Sequence, residues 1–111
     1  MTTLTTHVLD VATGTPAAGI AITLVAVLGN ERRVVASAFT NADGRTDTPL
    51  ASDLESGTYE IVFSVGAYFA ATNAATLYAE IPIRVVLDSA RPHYHVPLLL
   101  SPFGYSTYRG S

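Results

Sequence analysis

The 111-residue chain holds three histidines, His7, His93 and His95, and no cysteine. With no thiol there is no thiolate nucleophile, no disulfide and no Cys-based zinc centre. Imidazole remains, largely neutral at pH 7 yet able to accept a proton. Two of the three histidines fall in RPHYHVPLLLSPFGYSTYRGS, residues 91–111. In a strand, side chains two apart point the same way, roughly 6.5–7 Å from each other. His93 and His95 therefore share a face with Pro97 and Leu99, while Tyr94, Val96, Leu98 and Leu100 form the more apolar, core-facing side. The histidines then face solvent or an oligomer interface. As ordinary exposed side chains they need no function. A same-side His-x-His pair can also bind a divalent metal with His7 as a third nitrogen ligand, but no acidic second shell accompanies it.

His7 shares its face with Thr5 and Leu9, opposite Thr6 and Val8. Arg45 follows the turn signal Ala42-Asp43-Gly44, on a loop or at a strand start, and Arg109 stands two residues from the end. Arginine after a turn or at a terminus is most often a solvated charge. Composition and periodicity therefore give a possible His/Arg cluster and do not name a reaction.

The elements that must carry these residues are short and regularly punctuated. Turn clusters lie at 12–19, 29–30, 40–47, 55–57, 88–92 and 101–105, rich in Gly, Pro, Asn and Asp. Between them, runs rich in β-branched and aromatic residues predict strands over 4–11, 20–28, 32–40, 58–65, 77–87, 93–101 and 105–109. Period two is clear for Tyr59, Ile61, Phe63 and Val65, and for Ile81, Ile83, Val85 and Leu87 against Glu80, Pro82 and Arg84. Pro82 points to an edge strand or a bulge. The alanine-rich stretch 67–75 permits a short helix. Seven or eight strands at this spacing predict an all-β sandwich or barrel, in one domain over 1–111.

Charged residues are 14% of the chain, low enough to favour an oligomer that hides surface. A net charge of −3 argues against nucleic acid. All basic side chains are arginine, to which no function is attached. The opening MTTLTTHVLD has neither a basic nor an apolar targeting region, and no apolar run approaches membrane-spanning length. The expected location is cytoplasmic, with no membrane partner.

Three stretches, THVLDVATGTPAAGI, TNADGRTD and HYHVPLLLSPFGYSTYRGS, together resemble the 5-hydroxyisourate hydrolase family, the transthyretin-like enzymes of urate breakdown. The resemblance covers essentially the whole chain, and the terminal Tyr-Arg-Gly-Ser is the family's signature ending. It implies a two-sheet sandwich of seven or eight strands with one short helix, paired through edge strands into a dimer and stacked as a homotetramer around a central channel. By position, it implies a catalytic cluster of His7, Arg45 and His95. It implies substrate contacts from His7, Arg45, Tyr108, Arg109 and Ser111, with Gly110 shaping the floor. The family's catalytic histidine matches the second of the HYH pair, and His93 is a neighbour on the same face.

The resemblance further implies ring opening of 5-hydroxyisourate by water, with no metal and no organic cofactor. Histidine suits the base, and either His7 or His95 fits that role. Arg45, always protonated, suits an oxyanion or an anionic substrate. Two other classes compete. A transthyretin-like carrier shares the sandwich but lacks both histidines and the Tyr-Arg-Gly-Ser ending. A structural sandwich module would share TPAAGIAITL, but has no reason to gather histidines from distant strands.

Overall fold

Alternating β-branched and aromatic residues suit a pleated surface buried on one side. The computed structural model, which describes residues 1–111, is built almost wholly of such segments. In chain order they are β1 (Thr2–Thr5), β2 (Val8–Asp10), β3 (Thr15–Pro16), β4 (Ala21–Leu28), β5 (Glu31–Phe39), β6 (Ala51–Leu54), β7 (Gly57–Ser64), α1 (Val65–Ala71), β8 (Ile81–Leu87), β9 (His93–His95), β10 (Leu98–Ser101) and β11 (Gly104–Thr107). Counting β1 with β2 and β9 with β10 as continuous runs, and leaving aside the two-residue β3, gives eight strands. The expected all-β sandwich with one short helix is what forms.

One layer is the antiparallel sheet β5-β4-β7-β8. The other combines β6-β1-β9 with β11-β10-β2-β3. Ile22 and Leu24 of β4, Ile61 and Phe63 of β7, and Ile81 and Leu87 of β8 join Leu4, Val8, Leu98 and Leu100 in a single buried cluster. Burying each such side chain contributes roughly 1.5–3 kcal/mol before entropy is subtracted. The predicted shared face of Tyr59, Ile61, Phe63 and Val65 is buried throughout. Pro82 lies on β8, an edge strand, where its missing N–H costs no ladder bond on the open side.

The second layer departs from the expected continuous strands 4–11 and 93–101. Each run breaks, at Thr6–His7 and at Val96–Pro97. Proline has no N–H to give the ladder. The register survives the break: Thr5 faces His95 on one side of it and Val8 faces Leu98 on the other, both in parallel pairing. The gap is stitched by Val96 N donating to Thr5 O (3.0 Å), Leu98 N to His7 O (2.8 Å) and Thr6 Oγ1 to Val96 O (2.7 Å).

Other boundaries also move. β6, of sequence ASDL, has no β-branched residue and was not among the predicted strands; its antiparallel pairing with β1 creates it. The helix begins at Val65 rather than 67, because Val65 and Phe69, one turn apart, both bury their side chains. It ends in a left-handed Asn73 (φ 57°), with Asn73 N bonded to Ala70 O and Ala74 N to Phe69 O. Tyr68 on α1 donates to Asp10 Oδ2 at 2.7 Å, tying the helix to β2. Burial and the Asp10 carboxylate push its phenol up to about 12. Residues 77–80 precede the strand rather than belong to it, and β11 stops at Thr107, two residues short of the expected end. No helix is long and apolar enough to cross a membrane.

Candidate active site

His7 and Arg45 are brought together by a turn whose sequence dictates its shape. In Asn41-Ala42-Asp43-Gly44-Arg45, the Asn41 side-chain oxygen accepts from Asp43 N (2.9 Å) and Arg45 N (3.2 Å). Gly44 sits at φ +73°, a conformation that a side chain disfavours. Its carbonyl then accepts from Val8 N at 2.8 Å, which docks the turn on the first strand run. His7 and Arg45 consequently face one another across an isolated antiparallel bridge.

The parallel pairing of β1 with β9 supplies the second imidazole. It sets His95 opposite Thr5, one alternate position from His7. Thr3, Thr5, His7 and Leu9 are all half-buried, as the predicted face requires. The chain end then returns. Gly110 N donates to His95 O at 2.7 Å, and a Cβ at Gly110 would lie 2.8 Å from His95 Cδ2. Only glycine lets the last residues pass so close to that ring.

These pieces enclose an open cleft of about 530 Å³ whose lining includes Thr5, Arg45, Asp47, His93, His95 and Ser111, and no hydrophobic residue. His7 is not part of this lining; it faces Arg45 across the bridge, Arg45 acts on it, and both Arg45 and His7 act on His95. Tyr108 and Arg109 do not line this cleft within one chain. They border a separate, mostly apolar groove of about 340 Å³ against Ile83, Val85, Leu87 and Tyr94. The structure thus unites His7, Arg45, His95 and Ser111 and leaves Tyr108 and Arg109 next door. No three His, Asp or Glu side chains are arranged as metal ligands.

Residues 4–110 match the sequence model of a family described as "HIUase/Transthyretin family". The chain belongs to that family. It is 47% identical to 5-hydroxyisourate hydrolase 2 of Rhizobium meliloti, over 97% of this chain and 95% of that protein. The solved 5-hydroxyisourate hydrolase of Klebsiella pneumoniae superposes with a TM-score of 0.88 at 38% identity, over the whole of both chains. The transthyretin of Sparus aurata superposes with a TM-score of 0.91 at 24% identity, over 99% of this chain and 97% of that one, a likeness of fold.

In this member of the HIUase/Transthyretin family, both clustered imidazoles are held below the ordinary histidine value of 6.5. For His7 burial is the larger cause and Arg45 the next, opposed by the Asp43 main chain and carboxylate. For His95 burial leads, followed by Arg45, His7 and His93, opposed by a main-chain hydrogen bond with Thr5. Both are therefore more fully neutral at pH 7 than a free imidazole is. The unfolded chain keeps the ordinary value, so on acidification it binds protons first. The stability tied to these two groups is intact above pH 6.5 and is lost as pH falls from there through their folded values. Arg45→Met is expected to raise both imidazole titrations, read from their ring-proton shifts in an NMR pH series. Unmoved midpoints would reject the electrostatic link.

Sequence reasoning overlooked three contributors: Thr5, whose hydroxyl lies between the two β9 histidines; Asp43, beside His7; and Asp47, on the cleft wall. Only Thr5 left a signal, as the residue two before His7 on the same face.

Proposed function

We propose that this chain hydrolyses 5-hydroxyisourate to 2-oxo-4-hydroxy-4-carboxy-5-ureidoimidazoline, with His7, Arg45 and His95 as its catalytic residues. The observation that carries the reading is the meeting of two half-buried imidazoles and a guanidinium, from three distant segments, beside a cleft with no hydrophobic lining. Such a cleft suits a small polar heterocycle and offers a hydrophobic hormone nothing to bury, which weighs against the carrier reading.

In the proposed step, a water oxygen bonds to the carbonyl carbon of the six-membered ring and the C6–N1 bond breaks. One imidazole takes the water proton and then, as imidazolium, gives it to the departing nitrogen, which the other imidazole positions. Arg45 balances the negative charge that gathers on the carbonyl oxygen, a role it can hold because it never deprotonates. The imidazole that takes the water proton must enter the step neutral, which its lowered proton affinity favours. Ser111 contacts the substrate at the cleft wall, and Tyr108 and Arg109 contact it from the adjoining groove. The test is spectroscopic. Urate oxidase generates 5-hydroxyisourate, and its ultraviolet absorbance is followed with and without the protein. Decay no faster than the spontaneous rate rejects the proposal.

The same reading includes a homotetramer built from paired edge strands. β8 and β11 are open edges, and they carry exposed Val86 (76%) and Tyr105 (43%). Open hydrophobic edges invite pairing. Pairing along β8 would also cover the groove that holds Tyr108. Sedimentation is expected to give four times the 11.7 kDa chain mass, and Val86→Arg is expected to dissociate it. A wild-type monomer overturns this part. A cytoplasmic location belongs to the same proposal, checked by cell fractionation.

A further inference from the structure

The Thr5 hydroxyl has three polar neighbours: His95 Nδ1 at 2.9 Å, His93 Nε2 at 3.0 Å and the Tyr94 carbonyl oxygen at 3.5 Å. A hydroxyl has one proton to give and two lone pairs with which to accept. If it gives its proton to His93 Nε2 or to the Tyr94 carbonyl, its bond with His95 can exist only when His95 Nδ1 carries a proton. Only if the hydroxyl donates to His95 Nδ1 does the His95 proton move to Nε2. That last arrangement leaves the Tyr94 carbonyl without this donor and needs a proton on His93 Nε2.

We propose that Thr5 is a positioning residue for the hydrolysis: its hydroxyl accepts the His95 Nδ1 proton and so leaves Nε2 as the free lone pair. This rests on the hydrolase reading of the site. The direction of Nε2 fits the role. It is bonded to Cδ2, the ring atom turned to Gly110, one residue before Ser111 on the cleft wall. Thr5 also fixes the ring plane, because β1 and β9 hold its own backbone opposite His95 in the parallel ladder. A ring whose tautomer and plane are both set loses no time or energy finding the reactive arrangement. The pairing makes His93 the outer partner: it takes the Thr5 proton when neutral. When His93 is protonated, the hydroxyl turns to Tyr94, and the His95 tautomer is the same in either state.

Two substitutions separate the hydroxyl from the shape of the side chain. Thr5→Val keeps the branched shape and removes the oxygen, whereas Thr5→Ser keeps the oxygen. Long-range proton–nitrogen NMR spectra of the imidazoles read the tautomer directly, and steady-state kinetics on 5-hydroxyisourate read the consequence. The wild type is expected to show His95 protonated on Nδ1. In Thr5→Val the Nε2-protonated form is expected to appear and kcat to fall about 10–100-fold, the usual cost of losing a ring-orienting partner, with KM within about twofold. Thr5→Ser is expected to keep the tautomer and most of kcat. A wild-type His95 protonated on Nε2 overturns the proposal, as does a Thr5→Val enzyme with unchanged kcat or a Thr5→Ser enzyme as slow as Thr5→Val. A wild type with no activity at all would reject the hydrolase reading instead, and the nitrogen spectra would still decide what Thr5 does to His95.

Discussion

His95→Ala is expected to lower kcat/KM for 5-hydroxyisourate by about 10²–10⁴-fold, the range that a positioned acid–base group supplies, while the thermal midpoint stays within a few degrees of wild type. The ring is half-buried and outside the hydrophobic cluster, so its loss opens no cavity in the core. Its backbone partners, Thr5 across β1–β9 and Gly110 N, do not depend on the imidazole. His7→Ala is expected to cost a similar factor, since it faces Arg45 in the same charge cluster. Arg45→Met removes charge stabilisation and is expected to cost about 10²–10³-fold. Arg45→Lys recovers little, because an ammonium cannot reproduce the planar fork of donors. His93→Ala, at an exposed position, is expected to cost less than about tenfold, below the range for a positioned acid–base group. Progress curves for the five variants, beside their melting curves, check this ranking. Near-wild-type turnover in folded His7→Ala, His95→Ala or Arg45→Met would remove that residue from the mechanism.

Gly44→Ala is expected to be the most damaging single-methyl change, lowering stability by about 3 kcal/mol and the melting temperature by on the order of 10 °C. Two penalties coincide there. The residue is at φ +73°, where a side chain costs about 1–2 kcal/mol. The added Cβ would also overlap the Val8 carbonyl oxygen, a backbone atom that cannot rotate away. Relieving the overlap strains the Gly44–Val8 bond and the Ala17–Val8 bond, each worth ~1 kcal/mol. Activity is expected to fall further than stability, because this turn holds Arg45 against His7. Gly14→Ala is the control. It has φ +74° with nothing within 4 Å of the new methyl, so it should show the backbone penalty alone. Equal melting losses for the two variants would show that the overlap is absorbed and that the turn is softer than its contacts imply.

Local chemistry made much of this molecule legible before any coordinates. Alternation put Ile61 with Phe63, and Ile81 with Leu87, on one face of their strands, and each is buried. The same alternation put His7 with Thr5, and His93 with His95, on the half-buried or exposed side of their strands. Pro82 marked an edge, and the Asn-Ala-Asp-Gly turn announced a tight reversal before Arg45. Where prediction slipped, the deciding contact was distant. β6 has no strand-forming composition and exists through β1, and the helix gained Val65 because the core takes its side chain.

The deepest limit concerns pairing. Which side of a strand a residue occupies follows from the stereochemistry of its own backbone, and a sequence states it directly. Which strand lies alongside, in what register, is settled by the packing of the whole core across long chain separations. The chain by itself therefore determined an all-β sandwich or barrel with its apolar faces and, through its resemblance to a family, the sandwich and the residues to watch. Only the tertiary structure decided that His95 stands opposite Thr5, that Gly110 presses against its ring, and that Tyr108 and Arg109 turn into a neighbouring groove while Ser111 reaches the cleft. Those are contacts between segments about ninety residues apart, or across a chain reversal, and no local periodicity encodes them.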